Sequence, residues 1–309
     1  MSIQEIQRVA PRVPTGNNLT HIVRRLRINN AIAISLLCVV ASLVIFGFLA
    51  IVVLLLVQGA PFLANSAFYA PTDFGVGKQI FNTFYVLILS EAILFPFALA
   101  AALYTVEYAR QGRLVTGIRF AAETLAGVPT IVLGLFGVIL FGTTFGFHIS
   151  RLTGALTLLC LNLPVALRLF EDALMNVPRE MREGSLALGS SKWYMIRTVV
   201  LPSALPGLIT GLILTAGKVI GETAALVFTM GVSNPANVFT PDASLASDTL
   251  TIHLWYVKTL GAGSIPGVTS SIANQISAGS AALLILILLV INILSRSLGR
   301  LIRRRVMAA

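Results

Sequence analysis

Long apolar runs separated by short polar segments dominate the chain. A helix needs roughly 20 apolar residues to cross a bilayer core, and six runs come near that length: 31–57, 81–106, 120–142, 154–170, 203–230 and 279–298. Each predicts a transmembrane helix. The fourth is the shortest, and Arg168 interrupts its end. Basic residues precede the first run, but it far exceeds the roughly 7–15 residues of a signal-peptide core, so it predicts an uncleaved span. The longest connection is 231–278, which leaves no room for a sizeable soluble domain. Pro96, Pro129, Pro164 and Pro206 place one proline in each middle run and none in the outer two. Proline removes a helical hydrogen bond and kinks the chain. The pattern fits a four-helix core around a pathway, and it equally fits the general frequency of proline in membrane helices.

Charge agrees with this reading and orients it. Only 11% of residues are charged, against roughly 25% in soluble domains. Hydrophobic residues make up 56% and mean hydropathy is +0.89, which excludes both an ordinary soluble fold and disorder. A net charge of +10 in a soluble protein would point to nucleic acid. Here seventeen basic residues fall in alternate connections and the two ends: Arg8, Arg12, Arg24, Arg25 and Arg27; Arg110, Arg113 and Arg119; Arg179, Arg182, Lys192 and Arg197; Arg296, Arg300, Arg303, Arg304 and Arg305. The other connections hold only Lys78, Arg151 and Lys258, while Arg168 and Lys218 lie in or near the membrane. By the positive-inside rule both termini are cytoplasmic, and no nucleic-acid partner is needed. A cysteine at Ser247 is then expected to react with an impermeant reagent from outside. The domain reading is a cytoplasmic segment 1–30, a first helix 31–57, a core of five further helices over 81–298 and a basic tail 299–309. Cys38 and Cys160 lie in apolar runs, and His21, His148 and His253 are far apart, so no metal site or disulfide framework is expected.

The connection 177–202 reads VPREMREGSLALGSSKWYMIRTVVLP. Met181, Ser185 and Leu188 recur at i, i+4 and i+7, Gly189 can take a left-handed conformation, and Ser190 or Ser191 can cap a second helix. The prediction is helix, glycine turn, helix. A DNA-reading helix-turn-helix has the same outline, but one held between two spans cannot reach a groove. An amphipathic helix resting on the membrane surface remains the plain alternative.

This loop resembles that of the membrane subunits of ATP-binding-cassette importers, whose pattern is E-A-A, three residues, G, nine residues, I, one residue, L-P. The chain supplies Glu183-Gly184-Ser185, Gly189, Val199 and Leu201-Pro202. Gly184 and Ser185 replace the two alanines, and Val199 the isoleucine. The resemblance assigns Glu183, Gly184, Ser185, Gly189, Leu201 and Pro202 to docking on an ATPase. Segments EYARQGR, LAGVPTIVLGLFG, LALGSSKWYMIRTVVLPSALPGLITG and GKVIGETAALVFTMG are similar to the phosphate importer permeases, with the closing ALVFTMG closer to the PstA type than to its PstC-type partner. The resemblance implies an all-α integral membrane protein with six transmembrane helices in the type I, MetI-like permease fold, resident in the bacterial inner membrane. Its implied partners are a PstC-type permease, a PstB-type ATPase dimer and a PstS-type extracytoplasmic phosphate-binding protein. ATP and Mg are expected to be used by the partner ATPase, with no cofactor on this chain. A PstC-type subunit or a permease for another oxyanion stays open.

Lys218 and Glu222 are four apart in the fifth run, so helical geometry places them on one face. A charge at mid-bilayer costs about 2.5–3.5 kcal/mol on the insertion scale and should face protein or water. A self-neutralising pair is one reading. The other is a phosphate pathway, because the subfamily motif G-R-x-x-G-E-T places arginine where Lys218 stands. Lysine keeps the charge but loses the bidentate geometry. Arg168 is a weaker pathway candidate, and Glu91 has no assigned role. Gly207 with Gly211, and Gly217 with Gly221, have the spacing for close helix packing. GLILTAGKV, at 211–219, fails as a phosphate-binding loop: five residues separate its glycines, and Val219 stands where a magnesium-binding hydroxyl is required. A proton-coupled secondary transporter using Glu91, Lys218 and Glu222 is the rival from another class, but no inverted repeat accompanies it. No clustered Asp, His or Cys supports an enzyme; Glu171-Asp172 is an isolated pair.

Overall fold

The computed structural model describes residues 16–72, 75–110, 112–233, 239–260 and 269–308, and among them every element is a helix. Arg8, Arg12 and parts of the connection 231–278 lie outside the described residues, as do the side chains of Arg296, Arg300, Arg303, Arg304 and Arg305. Helix α1 is Gly16–Leu63. Helix α2, Gly77–Leu103, is extended by a π-helical turn at Tyr104–Tyr108. Helix α3 is Arg113–Ala126, and α4 is Thr130–Gly137 with a π-helical continuation to Thr144. Helix α5 is Arg151–Met175, α6 Arg179–Ala187 and α7 Lys192–Met195. A π-helical stretch, Ile196–Val200, leads into α8, Leu201–Gly221. Then follow α9, Ala224–Thr229, α10, Leu250–Leu260, and α11, Ser270–Ala308.

Among the described residues, five helices are long and apolar enough to cross a membrane. The predicted third span, 120–142, differs: α3 and α4 meet the same criterion only as a pair and are bent by 101°. Pro129 is the cause. It holds φ −56° and ψ 135°, lacks an N–H, and drives Val128 away from helical geometry. Helix α3 closes just before it, with the Gly127 N–H donating to Glu123 O at 3.2 Å. Pro96, Pro164 and Pro206 lie inside α2, α5 and α8. The first helix runs past its predicted end and contains Pro61.

The chain divides into two units after Leu54. In the first, the apolar side chains of α1 are exposed almost throughout, as expected of a helix surrounded by lipid. In the second, α5 packs between α2 and α8, α11 packs on α8 and α10, and α4 packs on α9. Leu94 and Ala98 of α2, Phe170 and Leu174 of α5, and Leu208 of α8 form one buried cluster. Lipid tails are as apolar as leucine, so packing rather than solvent exclusion draws these helices together. Gly207 lies against Ala173, Gly211 against Phe170, and Gly59 against Ala278 and Ala282, with no room for a Cβ without displacement. Gly217 and Gly221, predicted as a second packing pair, have nothing within 4 Å of an added Cβ. The i, i+4 spacing alone cannot reveal which side of a helix has a neighbour.

Candidate functional site

The loop between α5 and α8 adopts the predicted helix, turn and helix. Gly189 has φ +83° with open space around it, so glycine is required there by backbone conformation and not by crowding. Ser191 caps α7 by accepting from the Tyr194 N–H at 3.3 Å. Ser190 turns back instead: its hydroxyl donates to Ser185 O at 2.7 Å and lies 2.8 Å from Ser185 Oγ. Glu183, Gly184 and Pro202 are exposed, and Leu201 is partly buried. Met181, Leu186, Trp193 and Tyr194 are exposed too, and Leu188 is 90% exposed. The turn therefore projects an apolar surface away from the bundle.

Both flanks of this loop are braced on the same short stretch at the end of α2. Arg182 Nε lies 3.1 Å from Glu107 Oε1, with the Glu107 side chain 6% exposed. The Arg182 guanidinium also donates to Val177 O and, at 2.7 Å, to Leu174 O. It thus adds a donor to carbonyls at and just beyond the end of α5. Across the turn, Lys192 Nζ sits 5.0 Å from the centroid of the Tyr108 ring, a cation–π distance. Val177, Met195, Ile196 and Val200 bury their side chains in the α2–α5–α8 cluster. Arg182 was legible only as a cytoplasmic cation; its reach to Glu107, 75 residues away, has no local signature.

Lys218 and Glu222 do not share a helix face. Helix α8 ends at Gly221, and Glu222 is extended, with φ −73° and ψ 127°. Glycine weakens the helix here, and side chains satisfy the freed backbone. Glu222 Oε1 accepts from the Ala225 N–H at 3.2 Å, and Glu222 O accepts from Thr251 Oγ1 at 3.1 Å. Lys218 is exposed at the surface of this chain. Glu91 accepts from Thr215 Oγ1 at 3.2 Å, one turn of α8 before Lys218. Arg168 is well separated in sequence from this group; it pairs with Asp172 at 3.7 Å, both side chains at least half exposed.

At the opposite end of the bundle from the loop, the structure builds a buried polar knot. Arg151, counted by sequence as an external cation, is 1% exposed. It donates to Ser247 Oγ at 3.0 Å, Asn82 Oδ1 at 2.7 Å, Asp242 O at 3.1 Å and Thr240 O. Its guanidinium also lies 5.0 Å from the Tyr85 ring centroid. Asn82 donates to Asp248 O at 3.0 Å. Asp248 accepts from the Ser233 N–H at 3.2 Å, from Ser233 Oγ, and from Gln79 Nε2 at 3.3 Å, and its Oδ2 is 2.9 Å from His253 Nδ1. Burial works to raise the Asp248 carboxyl, but the bond and charge of His253, with the bonds from Ser233 and Gln79, hold it below its ordinary value. Ser247 is 1% exposed, so a cysteine there is shielded from the impermeant reagent expected to reach it. This knot fastens the connection after α9 onto the starts of α2 and α5.

Comparison with known proteins places this geometry. Residues 92–308 match the family described as "Binding-protein-dependent transport system inner membrane component". The chain is 37% identical over 249 residues to the probable ABC transporter permease protein YqgI of Bacillus subtilis, covering 76% of this chain and 81% of that one. It is 34% identical over 232 residues to the phosphate transport system permease protein PstA of Xylella fastidiosa, covering 73% and 81%. PstA 1 of Mycobacterium tuberculosis is 38% identical over 179 residues, 58% of this chain and 59% of that one. Among solved structures, an inward-facing MetNI methionine ABC transporter superposes with a TM-score of 0.57 at 19% identity, over 74% of this chain and 95% of that one. A bacterial ABC transporter involved in alginate import gives 0.60 at 14% identity, over 90% and 99%.

Proposed function

We propose, because the chain belongs to the binding-protein-dependent transport system inner membrane component family, that it is the PstA-type subunit through which an importer carries inorganic phosphate. As a family member it is a multi-pass inner-membrane permease of an ATP-binding-cassette importer, in the MetI-type fold. The observation that carries the phosphate reading is the 34% identity to a PstA permease across 81% of that relative's length. The remaining subunits are a PstC-type permease, two PstB-type ATPases that use ATP and Mg, and a PstS-type binding protein. Hydrolysis belongs to the ATPases, and this chain performs none.

In this reading the apolar turn around Leu188, with Glu183, Gly184, Ser185 and Gly189, docks on an ATPase. Closure of the ATPases displaces the turn. Leu201 and Pro202, together with the brace at Glu107 and Tyr108, carry the displacement into α2 and α8. Lys218 faces outward from this chain, towards a seam with the second permease, where it offers one positive charge to a passing phosphate. Glu222 shapes that region by capping α9. The test is phosphate uptake by proteoliposomes containing the complete complex: ATP-dependent, vanadate-sensitive uptake is expected. Uptake that collapses with the proton gradient and survives loss of the ATPase would overturn the proposal.

A further inference from the structure

Between α3 and α5 lies a cavity of about 430 Å³, within the range of small-molecule sites. Arg119 and Glu123 of α3 face it, as do Pro164, Arg168 and Glu171 of α5. Helix α3 turns 101° away from α4 and packs on α5 near the end that leads into the loop at 177–202. The cavity therefore sits at the cytoplasmic membrane surface assigned by the charge distribution. Its remaining wall is apolar, supplied by residues such as Ala122, Ala126 and Leu169.

The charges around it are incompletely matched. Arg119 Nε approaches Glu171 Oε2 to 3.3 Å, yet among the described residues Arg119 Nε makes no hydrogen bond and Glu171 Oε1 has no partner. Glu171 is 1% exposed, and a buried carboxylate oxygen without a donor is costly. Among the described residues Arg168 is held only by the 3.7 Å pair with Asp172, whose members are 65% and 50% exposed; such a pair contributes little and leaves the guanidinium available. Two arginines and two glutamates line the cavity, so its charge is balanced. That balance disfavours a bare dianion and matches a ligand carrying both signs, and the apolar wall calls for a ligand with an apolar body. Cation-bearing pockets between helices on the cytoplasmic side are where lipid headgroups are recognised.

We propose that this cavity seats the headgroup of a cytoplasmic-leaflet phospholipid bearing both a phosphate and a primary ammonium. Arg119 and Arg168 take the phosphate, Glu123 takes the ammonium, and the apolar wall lies against the glycerol and upper acyl chain. The site is separate from phosphate transport and stands or falls without it.

The test uses the complete transporter complex, reconstituted in phosphatidylcholine bilayers containing either phosphatidylethanolamine or phosphatidylglycerol as the minor lipid. Lipid retained after extraction is counted by native mass spectrometry. Phosphatidylethanolamine is expected to be retained in preference to phosphatidylglycerol. Arg168→Gln should lower that retention about fivefold, near the contribution of one basic side chain at a membrane surface. Glu123→Gln should remove the preference between the two lipids. Both side chains are exposed, and an unchanged melting temperature confirms that each variant folds. The proposal is overturned if the wild type retains neither lipid, if both variants retain phosphatidylethanolamine as the wild type does, if phosphatidylglycerol is preferred, or if inorganic phosphate displaces the lipid.

Discussion

Arg182 and Glu107 join the loop at 177–202 to the end of α2 through an Nε–Oε1 contact of 3.1 Å. The same guanidinium closes the end of α5 through Leu174 O and Val177 O. One side chain therefore links three elements, and a displacement of α6 reaches α2 and α5 together. An exposed ion pair would be too weak to carry such a link. This one is largely buried, with side-chain exposures of 16% and 6%, so removing one member strands the other.

Arg182→Ala is accordingly expected to destabilise the assembled permease by about 3 kcal/mol. Glu107→Gln should cost less, because the amide oxygen still accepts from Arg182. Thermal unfolding of the purified complex measures both. If the brace transmits motion, Arg182→Ala also lowers uptake per ATP hydrolysed. Equal loss of hydrolysis and uptake would reduce Arg182 to a purely structural role.

Two glycines in the loop make opposite predictions. Gly184 lies inside α6 with nothing within 4 Å of an added Cβ, so Gly184→Ala should stabilise the helix by about 0.5–1 kcal/mol. Gly189 has equal space but φ +83°, so Gly189→Ala should cost about 1–2 kcal/mol. Melting temperatures of the two variants should move in opposite directions, and both moving the same way would contradict the turn geometry.

These glycines also mark what was readable in advance. The six apolar runs and the helix–turn–helix at 177–202 follow from local composition and spacing, which report what a segment can form. The 101° bend had a visible agent in Pro129, but a proline does not disclose how far the chain turns. The end of α8 at Gly221 was hidden because Lys218 and Glu222 fit helical spacing; what breaks the helix includes the bond from Thr251, 29 residues away. Arg151 was least legible. Its partner Ser247 is 96 residues distant, and nothing around an arginine in a short external connection separates a solvated cation from the centre of a knot.

The knot has a pH signature. The Asp248 carboxyl is held below its ordinary value of 3.8, so the folded state favours its ionised form. Its contribution is complete above that ordinary value and is lost as pH falls through the lower, folded value. The stability gap between wild type and Asp248→Asn should therefore be full above about pH 4 and narrow on acidification below it. Amide hydrogen exchange of α10 across that range checks it, and a gap that widens in acid would reverse the assignment.

Orientation and burial can be tested together in a background where Cys38 and Cys160, both free, are replaced by serine. Ser244 is exposed in the same connection in which Ser247 is buried. Ser244→Cys should react with an impermeant maleimide from outside intact cells, whereas Ser247→Cys should stay unlabelled until the protein is denatured. Leu188→Cys, at a position 90% exposed, should react only in inverted vesicles that lack the ATPase. Labelling of Leu188→Cys from outside would invert the topology.

Lys218 gives the sharpest test of the transport path. It is exposed on this chain, in the last turn of α8 just ahead of the broken end that Glu222 and Thr251 secure. A charged hydrogen bond is worth about 1.5–3 kcal/mol, so Lys218→Met should slow phosphate uptake about tenfold or more. Binding-protein-stimulated ATP hydrolysis and the melting temperature should change little. Lys218→Arg, which keeps the charge and adds a forked donor set, should restore most of the rate. Arg182→Ala is predicted to fail in the opposite sense, with stability and coupling lost together. If Lys218→Met carries phosphate at the wild-type rate, the lysine lies off the path.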